Sequence, residues 1–156
     1  MKTNFEAVRS RPDAAVATAQ PVRAPLAPLL AGARARGVAD GLELVGAAAA
    51  LLDEHGDVLH VNARALGLLG EGLFVSGQRL HARGQEVDET LAAAIDSSVR
   101  HRVAARIALG DGVVAGVAAV RIVPVASDGD DAFQLLRAVA FFEAPGDCAC
   151  PAVGMN

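Results

Sequence analysis

Residues 46–70 read GAAAALLDEHGDVLHVNARALGLLG, and the order of apolar and polar residues in this stretch decides the predicted fold. The apolar run that leads into the DEHGD segment predicts a first strand over residues 44–53, and the run Val58–Val61 predicts the returning strand. The glycine of the polar segment stands where a hairpin turn needs a positive φ. Asn62 is a favourable N-cap, and Leu66 and Leu69 then share one face of a helix. The stretch therefore predicts a strand, a tight reversal, a second strand and a helix.

The following residues add one strong helix and three strands. Residues 73–83 predict a short extended or looping connector that covers one side of a cavity. A helix over residues 85–102 is predicted by apolar residues that recur every four positions, namely Val87, Leu91, Ile95 and Val99. Alternating or continuous apolar patterns predict strands over residues 103–109, 113–125 and 133–143. The whole order predicts an α+β domain, in which a five-stranded antiparallel sheet carries helices on one face.

The flanks of this domain differ from it in composition. Residues 1–28 contain four prolines, and residues 1–37 carry six basic against two acidic side chains, so we expect a flexible basic leader. Residues 29–43 predict an N-terminal flanking helix that is broken near Gly37. The domain itself is expected over residues 44–145, and residues 146–156 are expected to form a disordered tail.

Composition argues against several function classes. The net charge is −4 and the chain has no Trp, no Tyr and five Phe, which disfavours direct binding of nucleic acid. The apolar run at residues 44–52 is too short to cross a bilayer, and the N-terminus lacks a signal-peptide pattern. Cys148 and Cys150 supply half of a zinc site without a second pair at suitable spacing. We therefore expect a cytoplasmic protein with no membrane span and no metal.

The opening hairpin and helix resemble the PAS domain family. The residues that carry the resemblance are Leu51, Leu52, Asp53, Gly56, Val58, Val61, Asn62 and Ala63. The continuation EGLFVSGQRLHAR is similar to a Gly-Leu-x-x-x-x-Gly-x-Leu piece in the PAS segments of bacterial LuxR-type regulators. The likeness covers about residues 42–145 and implies a PAS-like sheet. No helix-turn-helix follows it, so we expect either a single-domain PAS protein or, if the chain is a piece, the sensory half of such a regulator.

The resemblance allows each cofactor of the family to be checked against the residues. Flavin photoreceptors of the family use a reactive cysteine on a central helix, and no cysteine precedes Cys148. Haem would need an axial histidine, and His101 lies at the C-terminal end of the long helix, where it suits the helix dipole. No nucleophile elbow or phosphate-binding loop is present in the sequence. We therefore predict no cofactor, no catalytic residue and no enzyme activity.

Two sets of residues remain as candidates for binding. A pocket between sheet and helices would be lined by His60, Phe74, His81, Leu91 and Ile95; either this space is a plain core or it admits a small apolar ligand. An interface on the outer sheet face and the flanking helix would use Leu29, Leu30, Val120, Ile122 and Phe142, because strands that are apolar on both faces need a cover on each.

These observations lead to two functional hypotheses. The first is a non-enzymatic bacterial signalling regulator, which forms a homodimer and acts by protein–protein interaction on a histidine kinase or another two-component or transcription control protein. The second is a sensor that binds a small molecule in its cavity.

Overall fold

The computed structural model of the protein describes residues 26–110, 116–126 and 135–146, with side chains from residue 32 onward. The helices in these ranges are α1 (Leu26–Leu44), α2 (Ala63–Leu66) and α3 (Gln85–His101). The strands are β1 (Ala49–Leu52), β2 (Val58–Val61), β3 (Leu73–Ser76), β4 (Arg79–Ala82), β5 (Ala105–Ala108), β6 (Ala119–Pro124) and β7 (Ala138–Glu143).

Five of these strands form one antiparallel sheet in the order β2-β1-β7-β6-β5. This confirms the predicted α+β class and the five-stranded antiparallel sheet. The strands β3 and β4 form a separate hairpin, where the sequence predicted a short extended or looping connector. The hairpin turns at Gly77 and Gln78, which both have positive φ values, 55° and 65°. Two consecutive positive φ values produce a turn whose twist matches that of the flanking strands.

The inner face of the sheet packs against α2, α3 and the β3–β4 hairpin. This inner core contains large, fully buried side chains, among them Leu52, Leu73, Leu91 and Ile122. Small residues of the strands, such as Ala50 and Ala140, complete it. The helix α3 carries Glu86 and Asp88 in its first turn and Arg100 and His101 in its last, which suits the helix dipole at both ends.

The outer face of the sheet is covered in part by α1. A second core joins Ala35 and Ala39 of the helix to Ala49, Leu51 and Val139 of the sheet. Most of these residues are alanines, so the helix axis can approach the strands closely. The flanking helix is therefore present, although it runs through Gly37 without the predicted break.

Several boundaries differ from those predicted. The first strand spans four residues instead of 44–53, because α1 extends to Leu44 and a turn follows it. The first helix begins at Leu26, inside the predicted leader. The predicted turn at Asp111 and Gly112, the loop 127–131, residues 1–25 and the tail from residue 147 lie outside the described residues. No helix among the described residues has the length and the apolar character needed to cross a membrane.

Asn62 fixes the junction between the first hairpin and α2. Its side-chain oxygen accepts hydrogen bonds from the N–H groups of Ala65 (3.0 Å) and Ala49 (3.1 Å), and its amide nitrogen donates to the carbonyl of Ala47 (2.8 Å). The bond to Ala65 confirms the predicted N-cap. The other two bonds hold the residues that lead into β1, so one buried side chain joins α2 to the sheet.

Candidate functional site

The five residues predicted to line a pocket do not surround one cavity. Leu91 and Ile95 belong to the inner core. Phe74 and His81 face each other across the β3–β4 hairpin with their rings stacked at a centroid distance of 5.6 Å. His60 lies on β2 and lines a different cleft. His81 and Ile95 both line a small cleft of about 100 Å³, but Phe74, Leu91 and His60 are not among its lining residues.

His81 is held by Asp88 at the start of α3. Its Nδ1 atom lies 3.2 Å from each carboxylate oxygen of Asp88, and the N–H of Ala82 donates to the same carboxylate at 2.9 Å. Partial burial acts to raise the pKa of Asp88, but the hydrogen bonds from Ala82 and His81 and the charge on His81 outweigh it. The pKa of Asp88 is therefore held below its ordinary value of 3.8.

This His81–Asp88 pair has a structural role that its contacts explain. It joins β4 to the first turn of α3 and orients the imidazole. A histidine oriented by a carboxylate can transfer protons if a nucleophile lies within hydrogen-bond distance. None of the hydrogen bonds among the described residues joins His81 to a serine, threonine or cysteine. Within the same residues, no group of three or more His, Cys, Asp or Glu side chains could hold a metal ion.

Three of the residues predicted for the outer interface lie on the inner face instead. Val120, Ile122 and Phe142 are members of the inner core, with at most 5% of their surface exposed. Their assignment to the outer face was wrong, because β7 pairs with β1 in the register that places Phe142 inward and Phe141 outward. Leu29 and Leu30 lie in α1, but their side chains are outside the described residues.

A cleft between the end of α1 and α2 holds the most exposed large apolar side chains near these elements. We call it the α1–α2 groove; its volume is about 580 Å³ and it is lined by Asp40, Glu43, Leu44, His60, Val61, Asn62, Ala63 and Leu66. Leu44 and Leu66 are 89% and 58% exposed, and the neighbouring Val45 is 78% exposed. Apolar side chains this exposed and this close together are typical of a surface that another molecule covers.

The rim of the α1–α2 groove is acidic. Glu43 accepts a hydrogen bond from the N–H of Ala63 at 2.9 Å, which attaches the last turn of α1 to the first residue of α2. Asp40 lies one helical turn earlier on α1 and also lines the groove. An apolar floor with a carboxylate rim suits an apolar side chain flanked by basic residues, since the like charges of an acidic partner would repel it.

The sequence alone did not point to this groove. The sequence pattern places Leu44 in the first strand, and it places Leu66 on one helix face together with Leu69. The signal that could have found the groove is the pair Leu44-Val45 directly before Gly46, because a glycine with positive φ ends the helix there and leaves both side chains beyond its packed face.

Comparison of the chain with protein-family models, with curated proteins and with solved structures finds no match to any of the three.

Proposed function

We propose that the protein is a non-enzymatic bacterial signalling regulator with a PAS-like domain. It acts by protein–protein interaction on a histidine kinase or another two-component or transcription control protein. The order of elements after α1 supports the PAS-like part of the proposal: two antiparallel strands lead, α2, a hairpin and α3 follow, and three more strands complete the sheet.

The exposed apolar side chains of the α1–α2 groove carry the interaction part of the proposal. Leu44 at the end of α1 and Leu66 in α2 are separated in sequence by two strands, yet both line this cleft, and the exposed Val45 directly follows Leu44. Burying a leucine side chain that is now in water contributes roughly 1.5–3 kcal/mol, so a partner that covers two of them gains a substantial part of its binding free energy. The acidic rim supplies selectivity for a partner with basic residues.

The alternative of a ligand between the sheet and α3 receives less support. Large side chains such as Leu52, Leu91 and Ile122 occupy that space and are fully buried against one another. The plain-core interpretation of this region therefore explains its packing without a bound molecule.

The test is affinity capture from the native organism with matched variants. Leu44→Asp and Leu66→Asp each place a charge in the groove, whereas Val103→Asp places the same charge on a residue that is 52% exposed and does not line it. We expect the wild type and Val103→Asp to retain the same histidine kinase or regulator, identified by mass spectrometry, and both groove variants to lose it. Circular dichroism verifies that all variants fold.

Two outcomes would contradict the proposal. One is that no signalling protein is retained by the wild type. The other is that Leu44→Asp and Leu66→Asp retain the same partners as the wild type. Light scattering of the purified chain tests whether the groove forms the homodimer. A dimer formed through the groove would dissociate in Leu44→Asp and Leu66→Asp and persist in Val103→Asp.

A further inference from the structure

A second cleft, of about 430 Å³, lies at the end of the sheet where the chain enters β1. Its lining includes the segment 46–48, which connects α1 to β1, and residues 141–144 at the end of β7 and just after it. The N–H of Phe142 donates to the carbonyl of Ala48 at 2.9 Å, so these two segments lie side by side. Arg64 and Leu68 reach it from α2 and the turn after it, and Arg121 reaches it from β6. The size is within the range of small-molecule sites.

The cleft is positively charged. Glu143 is shared by two arginines: the Nε atom of Arg121 lies 3.0 Å from one carboxylate oxygen, and the Nε atom of Arg106 lies 2.7 Å from the other. One carboxylate thus faces two guanidinium groups, of which Arg121 lines the cleft. Arg64 adds a further positive charge, so the lining of the cleft has two arginines and one carboxylate in a chain whose net charge is −4.

Arg64 is placed to meet a ligand. Its guanidinium carbon lies 4.0 Å from the position that a Cβ atom would take on Gly46, so it lies over the connecting segment. Among the residues that the structure describes, none forms a hydrogen bond or an ion pair with its guanidinium, whereas the guanidinium groups of Arg79 and Arg83 have partners. Its donors are therefore available for an acceptor in the cleft.

The remaining lining is apolar and aromatic. Phe141, Phe142 and Leu68 contribute to the wall, and the guanidinium carbon of Arg121 lies 5.1 Å from the centre of the Phe141 ring. This cation–π contact and the bond to Glu143 hold Arg121 in position. The Phe142 ring is buried in the inner core, so a ligand that fits this lining has an apolar body for the Phe141 ring and an anionic group for the two arginines.

We propose that this cleft binds a small organic carboxylate with an apolar, preferably aromatic, body. The carboxylate accepts hydrogen bonds from Arg64 and from the donors of Arg121 that Glu143 leaves free, and the body packs against Phe141. Guanidinium groups bind carboxylates with the strong, charge-assisted hydrogen bonds that their planar geometry allows. The proposal is independent of the α1–α2 groove, because the two clefts share no lining residue.

The test is a titration of the full chain with phenylacetate, with phenylacetamide and with inorganic phosphate. The amide keeps the ring and removes the charge, and phosphate keeps the charge and removes the ring. We expect phenylacetate to bind, with amide NMR signals shifting for residues 46–48 and 144, and to bind at least about tenfold tighter than either comparison compound.

Two variants complete the test. Arg64→Gln should weaken phenylacetate binding at least about tenfold, while Arg83→Gln, which removes an exposed arginine outside the cleft, should leave it unchanged. The proposal is overturned if phenylacetate does not bind, if the amide or phosphate binds equally well, or if Arg64→Gln has no effect. None of these results bears on the capture experiment with the groove variants, so the two proposals fail separately.

Discussion

Replacing Asn62 by alanine should destabilise the protein more than any substitution of an exposed polar residue. The Asn62 side chain is 2% exposed and makes three hydrogen bonds to backbone groups. The bonds to Ala49 and Ala65 are buried, and the bond to Ala47 is partly buried. Alanine removes all three at once and leaves no atom that could replace the lost oxygen.

The expected magnitude follows from what each bond satisfies. Losing the cap on the Ala65 N–H costs about 1 kcal/mol. The N–H of Ala49 belongs to a residue that is 1% exposed, so it is left buried and unsatisfied at a further cost of about 1–3 kcal/mol. Ala47 is half-buried, so water can reach its carbonyl, and losing the hydrogen bond to Asn62 adds little to the destabilisation. The free energy of unfolding should fall by roughly 3 kcal/mol in total.

The assay is urea unfolding followed by far-ultraviolet circular dichroism, because the chain has no Trp or Tyr to report by fluorescence. Asn62→Ser should be intermediate, since a shorter side chain keeps the cap on α2 but loses the bonds to residues 47–49. Thr90→Ala is the control: its hydroxyl bonds to Glu86 on the exposed face of α3, and the loss should stay within about 0.5 kcal/mol. If Asn62→Ala unfolds at the same urea concentration as Thr90→Ala, then these bonds do not hold the junction and the reasoning is refuted.

Three further predictions concern the turns, the acid limb of stability and the packing of α1. Gly56→Ala should lower the free energy of unfolding in urea by at least about 2 kcal/mol, because φ at this position is +79° and the new Cβ would lie 2.8 Å from the Ile95 side chain of α3. Gly77→Ala is the control: φ is +55° but the space around it is open, so the loss should be only about 1 kcal/mol. Equal losses for the two variants would contradict the role of the Ile95 contact. The lowered pKa of Asp88 stabilises the folded protein fully at pH values above the ordinary carboxyl pKa of 3.8, and this stabilisation is lost as the pH falls through the lower pKa of the folded state. Asp88→Asn should therefore be less stable than the wild type by under about 1 kcal/mol at neutral pH. If the difference in unfolding free energy between the two proteins does not shrink in acid, this linkage is excluded. Ala39→Leu should overpack the contact between α1 and the sheet, lower the free energy of unfolding by about 1–3 kcal/mol and speed amide exchange in α1. Gly41→Ala adds a Cβ that meets nothing within 4 Å, so it should slow amide exchange in α1 by raising helix propensity. A change of exchange rate in the same direction for both variants would argue against a helix packed on the sheet.

Local patterns predicted much of the fold. The glycine turn before β2, the Asn62 cap and the four-residue apolar repeat of α3 each depend on neighbours in sequence, and each is present in the structure. The β3–β4 hairpin escaped prediction because Gln78, which is not a residue that usually adopts positive φ, occupies the second position of its turn.

The candidate sites depended on information that is not local. Phe141 and Phe142 must face opposite sides of the sheet, but both are apolar, so the sequence cannot say which one faces inward. Pairing between β7 and β1 decides it, and that pairing joins residues that are far apart in sequence, such as Ala49 and Phe141. The bond between His81 and Asp88 likewise requires the hairpin to fold back onto α3, and the α1–α2 groove requires two helices to meet.

The three glycines of α1 have a consequence for how the protein opens. Gly32, Gly37 and Gly41 have open space around them, so no close contact explains them, and each lowers the intrinsic helix stability by about 1 kcal/mol relative to alanine. The helix is therefore stable mainly while it packs on the sheet. It should detach in partial unfolding events that cost less free energy than complete unfolding, exposing Leu51 and Val139 to the solvent while the inner core stays intact. A partner that binds this uncovered strand surface would then compete with α1 for it. Because each glycine lowers the stability of the helix, the number of glycines would set the population of the state in which α1 is detached.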